Sequence, residues 1–166
     1  MGDAVDLIAA AWRRERPDVD VAPMEIIGRL TRLGRLIDLE QREYFARHGL
    51  ERWEFDVLAT LRRSGGKAGL TAGDLNKAAM VTSGAITNRI DRLAAKDLVQ
   101  RTPDPDDRRA IRVQLTATGR TLIDELLAPH IANEERLLAT LPPADRTQLA
   151  ALLRTLCESL GDTALS

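Results

Sequence analysis

Cysteine is nearly absent from this chain. Cys157 is the only one, so no internal disulfide can form and no cysteine-rich metal site can be built. The two histidines, His48 and His130, lie far apart in sequence, which leaves zinc without a ligand set. Aromatic residues make up only 3%, and no apolar run reaches the length of a membrane span. The start, Met1-Gly2-Asp3, lacks a basic stretch followed by an apolar run, so no secretory signal is expected. These absences point to a reducing, cytoplasmic setting without membrane contact. No phosphate-cradling glycine loop, nucleophile triad or metal motif is visible either, so the chain is not read as an enzyme. Glu54 and Asp56 as an acid and base would be the only foothold for that reading.

Positive charge is not in excess. Lys and Arg number 24 against 25 Asp and Glu, for a net charge of −1. A nucleic-acid binder ordinarily carries a basic footprint, so any such surface here has to be local. What is present is 44% apolar and 30% charged residues in 166, the composition of one helix-rich domain large enough to bury a core.

Along the chain, Val5, Ile8 and Trp12 fall at helical spacing before Pro17. Ile26, Ile27, Leu30, Leu33 and Ile37 share one face of a longer helix that ends at His48-Gly49. A third helix spans Arg52 to Ser64. Thr71 is a good N-cap for the short helix TAGDLNKAA, with Asp74 in its first turn. After a tight turn at Met80-Val81, Thr82 or Ser83 opens a helix whose stripe is Ile86, Ile90 and Leu93, which gives a helix-turn-helix. LVQRT and IRVQL read as two antiparallel strands around the polar turn PDPDDRRA. Thr116 begins a long helix carrying Leu122, Ile123, Leu126 and Leu127 through Pro129 to Leu141. Ala144 to Leu160 forms a last helix with Leu149, Leu152, Leu153, Leu156 and Leu160 on a broad face. The apolar terminal helices predict an interface with a second copy. Within residues 1–166, 1–22 would be an additional N-terminal helix, 23–50 and 116–166 dimerisation helices, and 51–115 a winged helix-turn-helix lobe.

The outer half of the second helix of that motif is small and polar. Ser83, Thr87 and Asn88 offer donors and acceptors to base edges, with Thr82 at the helix start and Arg92 further along the same outer half. At the hairpin tip, Asp107-Arg108-Arg109 places cations beyond the helix. Arg109 would enter a narrow groove, Asp107 would fix its direction, and Arg108 would serve the backbone phosphates. A solvated helix face and a bare charged turn are the competing readings.

Here the residues acquire a family likeness. The run RTPDPDDRRAIRVQLTATG, following TSGAITNRIDRLAAKDLVQR, resembles the wing and recognition helix of the MarR family of bacterial regulators, over nearly the whole chain. The resemblance implies a homodimer, double-stranded DNA as partner and a pseudo-palindromic operator, with Asp107 and Arg109 matching the family's wing-tip pair. Asp97 stands where relatives commonly have Gly, a departure that the tolerance of Asp for left-handed backbone makes acceptable. AAAWRRERPDVD, WEFDVLATLRRSG, SGAITNRIDRL and LVQR are further similar to the urate-responsive HucR/PecS branch. That likeness implies a ligand set of Trp12, Asp56, Arg89 and Arg101, no cofactor, and release of a repressor from DNA by urate or a related purine.

A flat anionic purine needs an aromatic or apolar wall, a cation and an acceptor for ring N–H groups, and those residue types are present. Arg89 lies on the inner flank of its helix, and Arg101 is expected to face inward with it. Asp56 reads from periodicity as a surface carboxylate. Packing for Trp12, a phosphate contact for Arg89 and a strand salt bridge for Arg101 are the alternatives. Another aromatic acid or pH as the signal, or constitutive DNA binding, are the alternatives for function. His130 is read as packed or solvated, with titration at a dimer junction as the other option. Cys157 is read as core packing on a leucine-rich face, against redox sensing.

Overall fold

The structure, a computed structural model, describes residues 2–64, 69–78, 86–104 and 110–163. It divides into two compact units, Met1–Gly49 and Leu50–Ser166.

In the first unit, Asp3 caps α1 (Ala4–Glu15). Its carboxylate accepts the backbone N–H groups of Val5 and Asp6, and the Asp6 carboxylate accepts that of Asp3, a reciprocal capping box. Arg29 of α2 (Ala22–Ala46) ties this cap down by pairing with both Asp3, at 2.8 Å, and Asp6. Arg13 pairs with Glu25. The contact between the two helices is made by small residues. Val5 lies over Gly28, and Val5 and Ala9 are the buried positions of α1. The helix that the spacing of Val5, Ile8 and Trp12 predicts is present, but of the three only Val5 is buried, and Ile8 and Trp12 are exposed. Ala9 lets α1 approach α2 more closely than a stripe of bulky side chains would. The α2 stripe is itself uncovered, with Ile26, Ile27 and Leu33 all exposed.

In the second unit, α3 (Arg52–Ser64) buries Phe55, Val57, Leu58 and Leu61, which join Leu75, Ile90, Leu93, Val99, Val113, Ile123 and Leu126 in one core. Around α3 come β1 (Leu70–Thr71), α4 (Ala72–Ala78) and α5 (Ile86–Ala95). They are followed by β2 (Val99–Pro103), β3 (Ile111–Leu115), α6 (Ala117–Leu137) and α7 (Pro143–Ser159). The strands form an antiparallel sheet in the order β1-β3-β2, with Arg101 opposite Val113 and Leu70 opposite the same residue on its other side. The expected two-stranded hairpin is thus extended by β1, whose two residues are too few to carry an alternating pattern. Thr71 caps α4 by accepting the Asp74 N–H at 3.1 Å.

The end of α5 and the start of α6 are built on each other. Asp97 takes positive φ, 57°. Leu98 N–H then reaches the Leu93 carbonyl and Asp97 N–H that of Ala94, a Schellman end with Asp in the left-handed position. The Thr116 hydroxyl donates to the Asp97 carbonyl at 2.6 Å and accepts the Gly119 N–H at 3.0 Å. Helix α6 runs unbroken through Pro129 but stops at Leu137, short of the expected Leu141. No residue of α7 is buried. Leu152 is 62% and Leu160 80% exposed, and Cys157 is exposed as well, which corrects its reading as a core residue. Among the described residues, nothing buries the leucine-rich face it borders.

Gly119 has no room for a side chain, because a Cβ there would overlap the Leu98 carbonyl. Gly119→Ala is expected to lower stability by about 3 kcal/mol, read as a shift in the urea midpoint. An unmoved midpoint would mean that α6 does not approach Leu98 this closely in solution.

Candidate nucleic-acid interface and effector site

The first turn of α3 gathers the charges around α5. Glu54 is fully buried. Its Oε2 accepts the Glu51 backbone N–H at 2.9 Å, which caps the helix, and the Lys96 ammonium at 2.7 Å. Glu54 Oε1 makes no hydrogen bond to the described residues. Trp53 donates its indole N–H to Glu51 Oε2 at 2.6 Å, and Glu51 Oε1 pairs with Arg92. Those two hydrogen bonds, Arg92's first, hold the Glu51 carboxyl below its ordinary range. The guanidinium carbons of Arg89 and Arg92 lie 5.4 and 5.0 Å from the Trp53 ring centroid, within cation–π range.

One helical turn on, Asp56 is half-buried. Burial pushes its carboxyl above the usual range, and the opposing pull of Arg52, His130, Arg63 and Arg89 does not cancel the effect. Arg52 is 4.0 Å away. Arg89 Nη1 is buried and makes no hydrogen bond to the described residues. His130 is buried, its ring 4.6 Å from that of Phe55 and its Nε2 3.2 Å from Glu134.

Asp56 is therefore not the surface carboxylate that periodicity gives. Helix α3 is buried over a wide arc, from Glu54 through Thr60, and not only along the line through Leu58 and Leu61. The structure brings Asp56 and Arg89 into electrostatic range of each other. Arg101 does not join them on an inward face. Its side chain is exposed and pairs with Asp91 at 2.7 Å, although it shares a strand face with the buried Val99. The burial of β2 does not follow a strict alternation, and the Asp91 carboxylate of α5 holds the guanidinium at the surface. Trp12 is 47% exposed in the other unit.

Thr87 and Asn88 are exposed on α5 as expected. Arg92 is exposed too, but engaged by Glu51 and Trp53. Thr82 and Ser83 at the start of this helix, and Asp107, Arg108 and Arg109 at the hairpin tip, lie outside the described residues. Sequence reasoning missed Trp53, Glu51 and Glu54 as the residues that hold α5. The signal available was a second tryptophan, in a chain so poor in aromatics, set in the run Glu51-Arg52-Trp53-Glu54.

Chemically, the described residues combine a half-buried cation with one buried, unused donor, an indole face and a sheltered carboxyl. Among the described residues no group of three His, Cys, Asp or Glu side chains could hold a metal ion, and no helix is long and apolar enough to cross a membrane.

A helix-turn-helix followed by an antiparallel wing defines a winged-helix DNA-binding protein, and the comparisons with known proteins agree. The model of the MarR family matches residues 48–110. The chain is 39% identical over 146 residues to the HTH-type transcriptional regulator PecS of Dickeya dadantii, covering 88% of each. Its fold resembles that of a mutant MarR from Escherichia coli complexed with operator DNA, with a TM-score of 0.69 and 26% identity, covering 87% of this chain and 96% of that one. It also resembles BpsR of Bordetella bronchiseptica, whose DNA binding is regulated by 6-hydroxynicotinic acid, with a TM-score of 0.68 and 28% identity over 78% and 91% of the two chains. The chain belongs to the MarR family of DNA-binding transcriptional regulators.

The raised Asp56 carboxyl has a consequence for stability. The folded state holds this proton up to a higher pH than the unfolded chain, whose value is near 3.8. Stability from this group is thus present below 3.8 and is lost as pH rises through the folded value. Asp56→Asn is expected to flatten that decline and to be at least as stable as wild type at neutral pH, measured by urea unfolding across the acid range. A variant that reproduces the wild-type decline would show that Asp56 carries no desolvation cost.

Proposed function

We propose that this chain is a homodimeric repressor that binds a pseudo-palindromic operator and is released by a small anionic aromatic ligand, urate or a related purine. The observation that carries the ligand is Arg89. A buried guanidinium nitrogen without an acceptor is costly, and a planar anion beside it would supply one in a fixed, bidentate-capable geometry. Asp56, sheltered from solvent in the same electrostatic neighbourhood, offers an acceptor for ring N–H groups. Trp12 and Arg101 enter the ligand set through the likeness to the urate-responsive branch. Arg101 would have to give up Asp91 to serve there.

Arg89 stands on α5, so a ligand that binds it better in one orientation of that helix than in another changes DNA affinity by up to that ratio. Thr82, Ser83, Thr87, Asn88 and Arg92 are assigned to DNA, together with Asp107, Arg108 and Arg109 of the wing. An aromatic acid other than a purine is the second reading, and the likeness to BpsR favours it. Both readings use the same cation.

A gel-shift titration on DNA from upstream of the chain's own coding sequence, with urate, xanthine and simple aromatic acids, tests the effector. Urate is expected to release the wild-type protein, and Arg89→Ala and Trp12→Ala are expected to lose that response by about ten-fold or more in ligand concentration. Release of both variants at the wild-type urate concentration would rule out the assigned set, and indifference of the wild type to all ligands would rule out an effector.

The homodimer rests on the uncovered leucines of α7. Leu152→Asp together with Leu153→Asp should convert a dimeric mass to a monomeric one in light scattering, since each would place a charge in an apolar interface. A variant that stays dimeric would move the interface away from α7.

A further inference from the structure

Trp53 is in contact with two arginines of like charge. Arg89 and Arg92 are three residues apart on α5, so their side chains leave the helix as neighbours. The Trp53 ring lies within 5.4 Å of both guanidinium carbons, and its N–H donates to the same Glu51 carboxylate that pairs with Arg92. A π face and one carboxylate together make it possible for two planar cations to sit side by side. The arrangement spans the contact between α3 and the helix that faces DNA. It also leaves Arg92 exposed while Arg89 Nη1 is buried, so that of the two arginines Arg92 is the one placed to reach outward.

We propose that Trp53 is a positioning residue for DNA binding. It touches no DNA itself. It holds the Arg92 guanidinium and, through Arg89 and Arg92 together, fixes the rotation of α5 about its own axis. On binding, Arg92 exchanges the Glu51 carboxylate for a backbone phosphate while its plane stays on the indole, so less side-chain freedom is lost than for an untethered arginine. This assignment depends on the DNA-binding role of the chain and not on any effector.

The test uses the full chain and a duplex that the wild-type protein selects from a random-sequence pool. Trp53→Leu is expected to weaken binding about ten-fold, and Trp53→Phe, which keeps a ring face but not the indole N–H, about three-fold. Arg92→Ala should also cost about ten-fold, and adding Trp53→Leu to it should cost less than about two-fold more, because the two residues act as a unit.

A spectroscopic readout separates positioning from general support of the fold. In a Trp12→Phe background Trp53 is the only tryptophan. Duplex binding should shift its emission, and Arg92→Ala should remove the shift. Losses that multiply, wild-type affinity in Trp53→Leu, or an emission change that persists without Arg92 would each overturn the proposal. Should Trp53→Leu fail to fold, as judged by circular dichroism, Trp53→Phe and the emission experiment decide.

Discussion

Glu54 places a carboxylate where no solvent reaches it, and the start of α3 and the end of α5 have to come together around it. Removing an ionised carboxylate from water costs several kcal/mol, which is recovered only with a partner charge and donors in good geometry. The Lys96 ammonium and the Glu51 N–H are those partners. Lys96 can supply its charge only if α5 finishes beside the first turn of α3. One buried oxygen therefore fixes where α5 ends, and Trp53 and Glu51 in the same turn hold its Arg89 and Arg92. The Schellman end at Asp97 then turns the chain directly into β2, and Thr116 joins the far end of the wing to that same turn. The end of α5, the start of β2 and the start of α6 are thus joined by hydrogen bonds at one corner.

What could be read in the sequence was whatever depends on a few neighbouring residues. Caps at Thr71 and Thr116 need only a hydroxyl before a helical pattern, and the limits of α3 and the strand IRVQL follow from local period and turn residues. Asp97 was legible because the left-handed position has few occupants. The burial of Asp56 was not, since it depends on how far the neighbouring helices wrap around α3. Periodicity gives the centre of a buried face and says nothing of its width. Nor was the exposure of Trp12 legible, for a related reason. Helical spacing finds large apolar residues, whereas Val5 of α1 lies on Gly28 of α2 and Ala9 is the other buried position of α1, and Gly and Ala carry little hydrophobic signal. Cys157 and the leucines of α7 have the pattern of a buried face without the element that would bury it. The candidate site was legible in residue type and only partly in placement, for Arg101 turned to Asp91.

The net charge of −1, awkward at first for a DNA-binding protein, follows from the same economy of paired charges. In the second unit Arg92 pairs with Glu51, Arg101 with Asp91, Arg62 with Asp124 and Arg112 with Asp104. An arginine already matched by a carboxylate presents little net field to solvent, so these pairs add little to a basic footprint. For any of them to serve a phosphate, it must leave its carboxylate, which then takes up a cation from solution. The entropy released when DNA sheds its condensed counterions is partly returned at that carboxylate. Binding through exchanged arginines therefore depends on salt more weakly than the number of phosphate contacts suggests, and it relies more on geometry than on field strength. A corner joined in this way is what such a binder requires, because without a strong field to steer the encounter its reading helix must already be correctly turned when it meets the groove.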